Sequence, residues 1–180
     1  MQNAPHHSLR STGFTLLELV VVMLIVGILA IGAAARFQDK DGFSEVALQK
    51  RMLSALRAVQ QQAMQNTLNN PCYLFVFDNT NGQFGPANPN TCSTSVDFTQ
   101  PAYLRSEAGE LQAEGISLSV IDNGSGSITA VRFNQLGQPV QADGNARICS
   151  AFCTVNLTGE STQQVCIESE GFVHTGVCGG

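Results

Sequence analysis

The chain has 180 residues, 43% hydrophobic and 13% charged, with six cysteines, no tryptophan and a formal net charge of -5. That length allows one ordinary domain plus an appendage and excludes two full-sized domains. With 9 Lys+Arg against 14 Asp+Glu there is no net attraction for phosphates, so a basic nucleic-acid binder is disfavoured. The mean hydropathy of +0.06 averages two unlike parts, a dense apolar block near the N-terminus and a polar remainder rich in Gly, Ser, Thr, Asn and Gln.

From Leu19 to Ala35 the sequence reads LVVVMLIVGILAIGAAA, without a charged or strongly polar side chain, and Phe14 to Leu17 extends the run backwards past Glu18. At about 1.5 Å per residue, some 20 such residues cross roughly 30 Å of hydrocarbon, so a transmembrane helix is predicted over 14–35. A cleaved secretory signal needs an apolar core of about 7–15 residues before an A-x-A-like site, and this run is longer. Glu18 interrupts the pattern. A carboxylate deep in a bilayer costs about 2.5–3.5 kcal/mol, so it lies near an interface or has a cationic partner. At a helix start it is favoured by the macrodipole. A free amine at residue 14 supplies a cation if the chain is cut before Phe14.

Gly13-Phe14-Thr15-Leu16-Leu17-Glu18, after a short polar leader containing Arg10 and before the apolar run, resembles the processing site of type IV prepilins and type II secretion pseudopilins. The resemblance implies a leader over 1–13 and cleavage after Gly13 by a membrane prepilin peptidase. It also implies N-methylation of the new terminal Phe14, and an assembly contact made by Glu18. Two features depart from the family pattern. The leader carries only Arg10 as a cation, so the positive-inside signal is weak. Ala35 stands where many relatives have proline, and alanine favours helix over proline by about 3 kcal/mol, so less kinking is expected there.

The helix is expected to continue over 36–70. Leu48, Met52, Leu56, Val59 and Ala63 recur at steps of three or four and form one apolar stripe, while Lys50, Arg51, Arg57 and Gln60 to Gln62 take the other faces. Asp39-Lys40-Asp41-Gly42 is the weak point of the rod, and Asn69-Asn70-Pro71 supplies the stop. Unbroken from Phe14 to Leu68, the helix would run about 80 Å.

Beyond residue 71 the period changes. Cys72 to Phe77 is aromatic and β-branched, predicting a buried strand, and Ile116, Leu118 and Val120 alternate with serines as in a strand with one wet face. Asp122 to Ser127 supplies turn chemistry, with Ile128 to Phe133 as the return strand. Val140, the Arg147 to Leu157 stretch and Gln164 to Val173 add further strands, while 78–101 reads as a long irregular excursion. The predicted class is α+β, a long N-terminal helix packed on a C-terminal antiparallel β domain over 71–180. Within it, Val131-Arg132-Phe133-Asn134-Gln135-Leu136-Gly137-Gln138-Pro139 resembles the strand-and-turn segment of GspH/FimT-type minor pilins and pseudopilins.

Cys72, Cys92, Cys149, Cys153, Cys166 and Cys178 are even in number and all follow the apolar segment, which fits disulfides formed in an oxidising periplasm. Spacing alone leaves the connectivity open. A hairpin turn centred on Gly159 and Glu160 would put Cys153 opposite Cys166, leaving Cys72 with Cys92 and Cys149 with Cys178. The local loop from Cys72 to Cys92 would contribute about 3 kcal/mol by chain entropy.

Zinc is disfavoured, since Cys149 and Cys153 have no second short-spaced pair and His174 is the only histidine outside the leader. No metal and no cofactor is expected. No nucleophile elbow, phosphate loop or His-activated thiolate motif is present, so no catalytic residue is assigned and the chain is read as a non-enzyme. Asp122 and Asn123 offer calcium-type oxygens, but Asp-Asn-Gly reads first as a turn. The sequons at Asn123 and Asn156 are treated as chance matches.

The resemblance implies a minor pilin of a type IV pilus, with the mannose-sensitive haemagglutinin type as a subclass. It sits in the inner membrane with a periplasmic C-terminal domain before assembly into a pilus or pseudopilus. Its implied partners are prepilin peptidase, other major and minor pilins, the inner-membrane assembly platform and the lipid bilayer. A type II secretion minor pseudopilin shares every N-terminal feature. A DNA-uptake or adhesive tip protein is the third reading, and scattered Arg105, Arg132 and Arg147 make a poor nucleic-acid surface.

Overall fold

Apolar residues repeat helically at two places in the first third of the chain, and each becomes a helix. The computed structural model describes residues 15–36, 43–65, 72–124 and 126–179, with side chains in the first helix as far as Ala30. Helix α1 spans Leu16–Arg36 and α2 spans Phe43–Gln65. The suspected hinge at Asp39 to Gly42 and the stop at Asn69 to Pro71 both lie outside the described residues. The chain divides into two compact units, Met1–Lys40 and Asp41–Gly180.

In the first unit, α1 is apolar on every side. Its one acidic residue, Glu18, sits in the first turn. Thr15 caps the helix: its Oγ1 accepts from the Glu18 N–H at 3.2 Å, and its carbonyl accepts from the Leu19 N–H at 3.2 Å. Over the described residues, no helix is both long and apolar enough to cross a membrane. The Ile31 to Ala35 side chains of the span expected from sequence lie outside that description.

The second unit is built around α2. Its stripe of Leu48, Met52, Ala55, Leu56, Val59 and Ala63 is at most 3% exposed and faces two antiparallel sheets. Each of its large side chains contributes roughly 1.5–3 kcal/mol relative to exposure. The first sheet holds β1 (Leu74–Asp78), β2 (Gln83–Pro86), β5 (Ala130–Phe133) and β6 (Pro139–Val140) in the order β2-β1-β5-β6. The second holds β3 (Ser117–Asp122), β4 (Gly126–Ser127), β7 (Phe152–Thr158), β8 (Thr162–Glu168) and β9 (Val173–Thr175) in the order β4-β3-β7-β8-β9. A short helix α3 (Glu110–Ala113) precedes β3. The architecture is α+β, a helical N-terminal part followed by an antiparallel β domain.

Strand β1 is buried on both faces. Phe75 and Phe77 enter the main core, where their rings lie 5.1 Å apart and Phe84 stacks 6.2 Å from Phe75. Leu74 and Val76 point the other way into a second cluster with Cys72, Ala87, Val96 and Ala130. The Asn/Thr/Pro-rich excursion is therefore a cover for the outer face of the first sheet. It also contains β2, where an irregular segment is expected from composition, and Asn81-Gly82 is the hairpin signal that leads into it. Beyond β2, the Asp97 N–H donates to the Pro86 carbonyl and the Ser106 N–H to the Phe84 carbonyl, which closes that sheet edge.

The return strand after Asp122 differs from expectation. Gly126–Ser127 pairs back on β3, the Ile128 N–H still donates to the Val120 carbonyl at 3.1 Å, and the chain then crosses to the other sheet, where Ala130 to Phe133 pairs with β1. Alternation explains the crossing: Val131 and Phe133 are 0% and 2% exposed and meet the shared core from the opposite side.

Candidate functional site

The residues singled out for processing fall in the first unit. Gly13 and Phe14 lie outside the described residues. Glu18 is exposed one turn into α1, and the large side chains from Leu16 to Leu29 are between 48% and 83% exposed. A helix that is apolar all round requires apolar surroundings on every side, supplied by lipid or by other helices.

The cysteines form three disulfides: Cys72–Cys92, Cys149–Cys153 and Cys166–Cys178, with Cα separations of 5.2, 4.8 and 5.4 Å. The first pair agrees with the expectation from sequence, and the other two correct it. The cause is a register difference of one residue. The β7–β8 hairpin turns about Glu160, with Thr158 opposite Thr162, so Cys153 faces Ile167 and Cys166 faces Thr154. A slip of one sends the two sulfurs to opposite faces of the sheet. Cys153 joins the core with Val155 and Leu157, beside Cys149. Cys166, on the other face, holds down the C-terminal tail through Cys178. Two non-glycine residues have positive φ among the described residues, Cys92 (52°) and Cys149 (55°), and both are half-cystines. The Cys72–Cys92 and Cys149–Cys153 disulfides thus each hold one residue in a backbone conformation that it disfavours.

Four side chains of α2 tie it to the strands and their turns, Gln49 by donating from Nε2 to the Gln164 carbonyl of β8 at 2.7 Å. Glu45, 1% exposed, receives the Ser161 N–H at 3.1 Å on Oε1 and anchors the β7–β8 turn at the start of α2. Its own backbone N–H, then that of Ser161, hold its carboxyl below the ordinary glutamate range. Midway along α2, Arg57 donates through Nε and Nη2 to the Val173 carbonyl at 3.0 and 2.7 Å, covering part of edge strand β9. Near its end, Gln60 Nε2 donates to the carbonyls of Gly137 at 2.8 Å and Gly171 at 2.6 Å. Gly137 belongs to the β5–β6 turn of one sheet and Gly171 to the β8–β9 turn of the other, so one amide clasps both sheets. Gln138 and Arg147 reinforce the clasp by contacting the Glu170 carboxylate at 2.7 and 3.1 Å, and Arg147 also donates to the Ser169 carbonyl. Gly171 has φ +95°, and a Cβ there would overlap the Gly137 carbonyl oxygen. Sequence gives no signal for this clasp beyond the glycines themselves.

His174 pairs with Glu168, Nε2 to Oε1 at 2.9 Å, and the Gly179 N–H donates to the same oxygen at 3.1 Å. The His174 bond first, then that of Gly179, holds the Glu168 carboxyl below its ordinary range. This cluster fastens the tail and has the geometry of a structural contact. Asp122 is 2% exposed, and its Oδ1 accepts from the Gly124 N–H at 3.0 Å, which is turn geometry. Among the described residues, no group of three or more His, Cys, Asp or Glu is arranged to hold a metal ion.

Residues 9–34 match the family model described as the prokaryotic N-terminal methylation motif. That stretch includes Arg10, Gly13, Phe14, Glu18 and most of the apolar run. The chain therefore carries a prepilin-type N-terminal motif, which supports a type IV pilin or pseudopilin-like class. No curated protein and no solved structure gives a significant match to the chain.

Proposed function

We propose that the protein is a minor pilin, a structural and assembly subunit of a type IV pilus rather than an enzyme. The observation that carries this reading is the methylation motif over 9–34, joined to an apolar helix with a single early carboxylate. Prepilin peptidase removes residues 1–13 and the new amino group of Phe14 is methylated. The helix from Phe14 to Ala35 holds the subunit in the inner membrane, with the β domain in the periplasm, until the assembly platform extracts it into a bundle of pilin helices. In that dry bundle an unpaired carboxylate costs several kcal/mol, so Glu18 takes the Phe14 amine of a neighbouring subunit as its counter-ion. The disulfides and the α2 clasp keep the head a fixed block while the helix changes surroundings.

Mass spectrometry of the protein from membranes and from sheared filaments tests this. The expected mature chain starts at methylated Phe14, contains six half-cystines and is present in the filaments. A chain retaining Met1 refutes the processing. Its absence from filaments, together with a deletion that stops protein secretion while leaving pili intact, assigns it instead to a type II secretion pseudopilus.

A further inference from the structure

Residues 176–179 run as a short tail over the outer face of the second sheet. Cys166 of β8 stands opposite Thr154 on β7 and His174 on β9, so these three side chains share the face turned away from the core. The tail is held there at three points. Cys178 is bonded to Cys166, the Thr154 hydroxyl donates to Cys178 Sγ at 3.3 Å, and the Gly179 N–H donates to Glu168 Oε1 at 3.1 Å. Gly179 backs onto the Phe152 ring, where a Cβ would stand 2.5 Å from Cε1. Val177 is 85% exposed and its neighbours are glycines apart from Cys178, so Cys178 is the one side chain that anchors the tail.

The three disulfides differ in what an attacking thiolate meets. Cys149 and Cys153 have no exposed surface. Cys92 is partly exposed, but attack there expels the Cys72 sulfur into an apolar cluster with Leu74 and Val96. Apolar surroundings disfavour a thiolate and make it a poor leaving group. Cys178 is likewise partly exposed, and its leaving group has polar company. Cys166 Sγ shares its face with Thr154 and His174 and lies 3.2 Å from the Gly176 carbonyl oxygen, an acceptor for the thiol once the bond is broken.

We propose that Cys166–Cys178 is a thiol–disulfide exchange site, opened by a dithiol through attack at Cys178, and that its opening lifts the 176–179 strap and bares Phe152. One thiolate of the dithiol bonds to Cys178 Sγ. The Cys166–Cys178 bond breaks with its electron pair leaving on Cys166, which takes a proton from water. The second thiol of the reductant then loses its proton and displaces Cys178, which is protonated in turn. The two cysteines gain two electrons and two protons, and the dithiol ends as a disulfide.

What the strap covers is part of an aromatic row. Phe152 stands opposite Glu168, and the Glu168 N–H donates to the Phe172 carbonyl on the far side. Phe172 is already 64% exposed and stacks on His174 at 5.0 Å. With the strap closed, the face presents one free ring. With it lifted, two rings flank the Glu168–His174 pair, while the core beneath is unchanged.

Graded dithiothreitol added to the full chain in lauryldimethylamine oxide micelles tests the proposal. Released thiols are trapped with iodoacetamide and mapped by mass spectrometry, and hydroxyl-radical footprinting follows the Phe152 side chain with Phe172 as internal standard. Cys166 and Cys178 are expected to be alkylated together at a dithiol level that leaves the other two bonds intact, with Phe152 oxidation rising toward that of Phe172. Glutathione, a monothiol, is expected to give a mixed disulfide on Cys178. The double variant Cys166→Ser with Cys178→Ser should show the raised Phe152 oxidation without reductant, and the wild-type measurements decide alone if that variant does not fold. Earlier opening of Cys72–Cys92, opening only together with Cys149–Cys153, glutathione on Cys166, or Phe152 still protected after the bond is open overturns the proposal.

Discussion

Replacing Gly171 with alanine probes the clasp at its tightest point. The substitution acts in two ways. A left-handed backbone at φ +95° costs an L-residue about 1–2 kcal/mol. The new Cβ also overlaps the Gly137 carbonyl oxygen, so one of the two turns must move, and the Gln60 amide then loses one or both of its bonds at 2.8 and 2.6 Å. Each lost bond is worth about 0.5–1.5 kcal/mol net, giving a total of roughly 2–5 kcal/mol. For a unit of this size that lowers Tm by about 4–20 °C. Gly176→Ala is the matched control: its φ is +106°, but nothing lies within 4 Å of the added methyl, so it carries the backbone cost alone. Thermal unfolding of both variants, followed by circular dichroism on the full chain, separates the two contributions. If Gly171→Ala is no more destabilising than Gly176→Ala, the contact between the two turns is not what holds the sheets together.

Non-reducing peptide mapping should recover Cys72–Cys92, Cys149–Cys153 and Cys166–Cys178, and a Cys153–Cys166 peptide would refute the hairpin register. Replacing Cys166 and Cys178 together with serine should cost about 3 kcal/mol by chain entropy for a loop of 12 residues, read as a lower denaturant midpoint. The Glu45 carboxyl is held below its ordinary value of 4.5, so its contribution is present above that pH and is lost as pH falls through the lower folded value. Unfolding measured from pH 7 down to about 3 should therefore show an acid-side loss of stability that Glu45→Gln reduces, and an unchanged profile contradicts the latch. Glu18→Ala should leave cleavage after Gly13 intact while lowering the amount of subunit in sheared filaments, and equal amounts of variant and wild type there would refute the counter-ion role.

The sequence made the elements legible wherever one face of a periodic segment was apolar. The stripe from Leu48 to Ala63 and the alternation from Ile116 to Val120 are local patterns, and both appear in the structure where the periodicity puts them. What was not legible depended on events distant in sequence. Whether Ile128 to Phe133 returns to β3 or crosses to β1 is decided by which sheet has room for Val131 and Phe133. The disulfide partners of Cys153 and Cys166 turn on a single residue of register at Glu160, which no local signal specifies. The Gly13-Phe14 and Glu18 signature lay open because it is a contiguous local motif, matched over residues 9–34 without reference to any distant contact. The clasp at Gln60, the latch at Glu45 and the strap at Cys178 were hidden because the first two join segments more than 70 residues apart and the third is a tail whose shape is set by turn glycines.

The Cys149–Cys153 bond has a consequence for how the head is made. Both sulfurs belong to residues with no exposed surface, sealed under Val155 and Ile148 and beside the helix stripe. An oxidoreductase cannot reach them once α2 has docked, so this crosslink is installed on a nascent, still open chain, ahead of core closure. The same burial makes it a clock in the finished molecule. A small thiol added to native protein removes it only at the rate at which the head opens, whereas the partly exposed Cys178 sulfur yields without unfolding. The rate at which the Cys149–Cys153 bond is lost in excess thiol therefore records the opening rate of the domain without any denaturant.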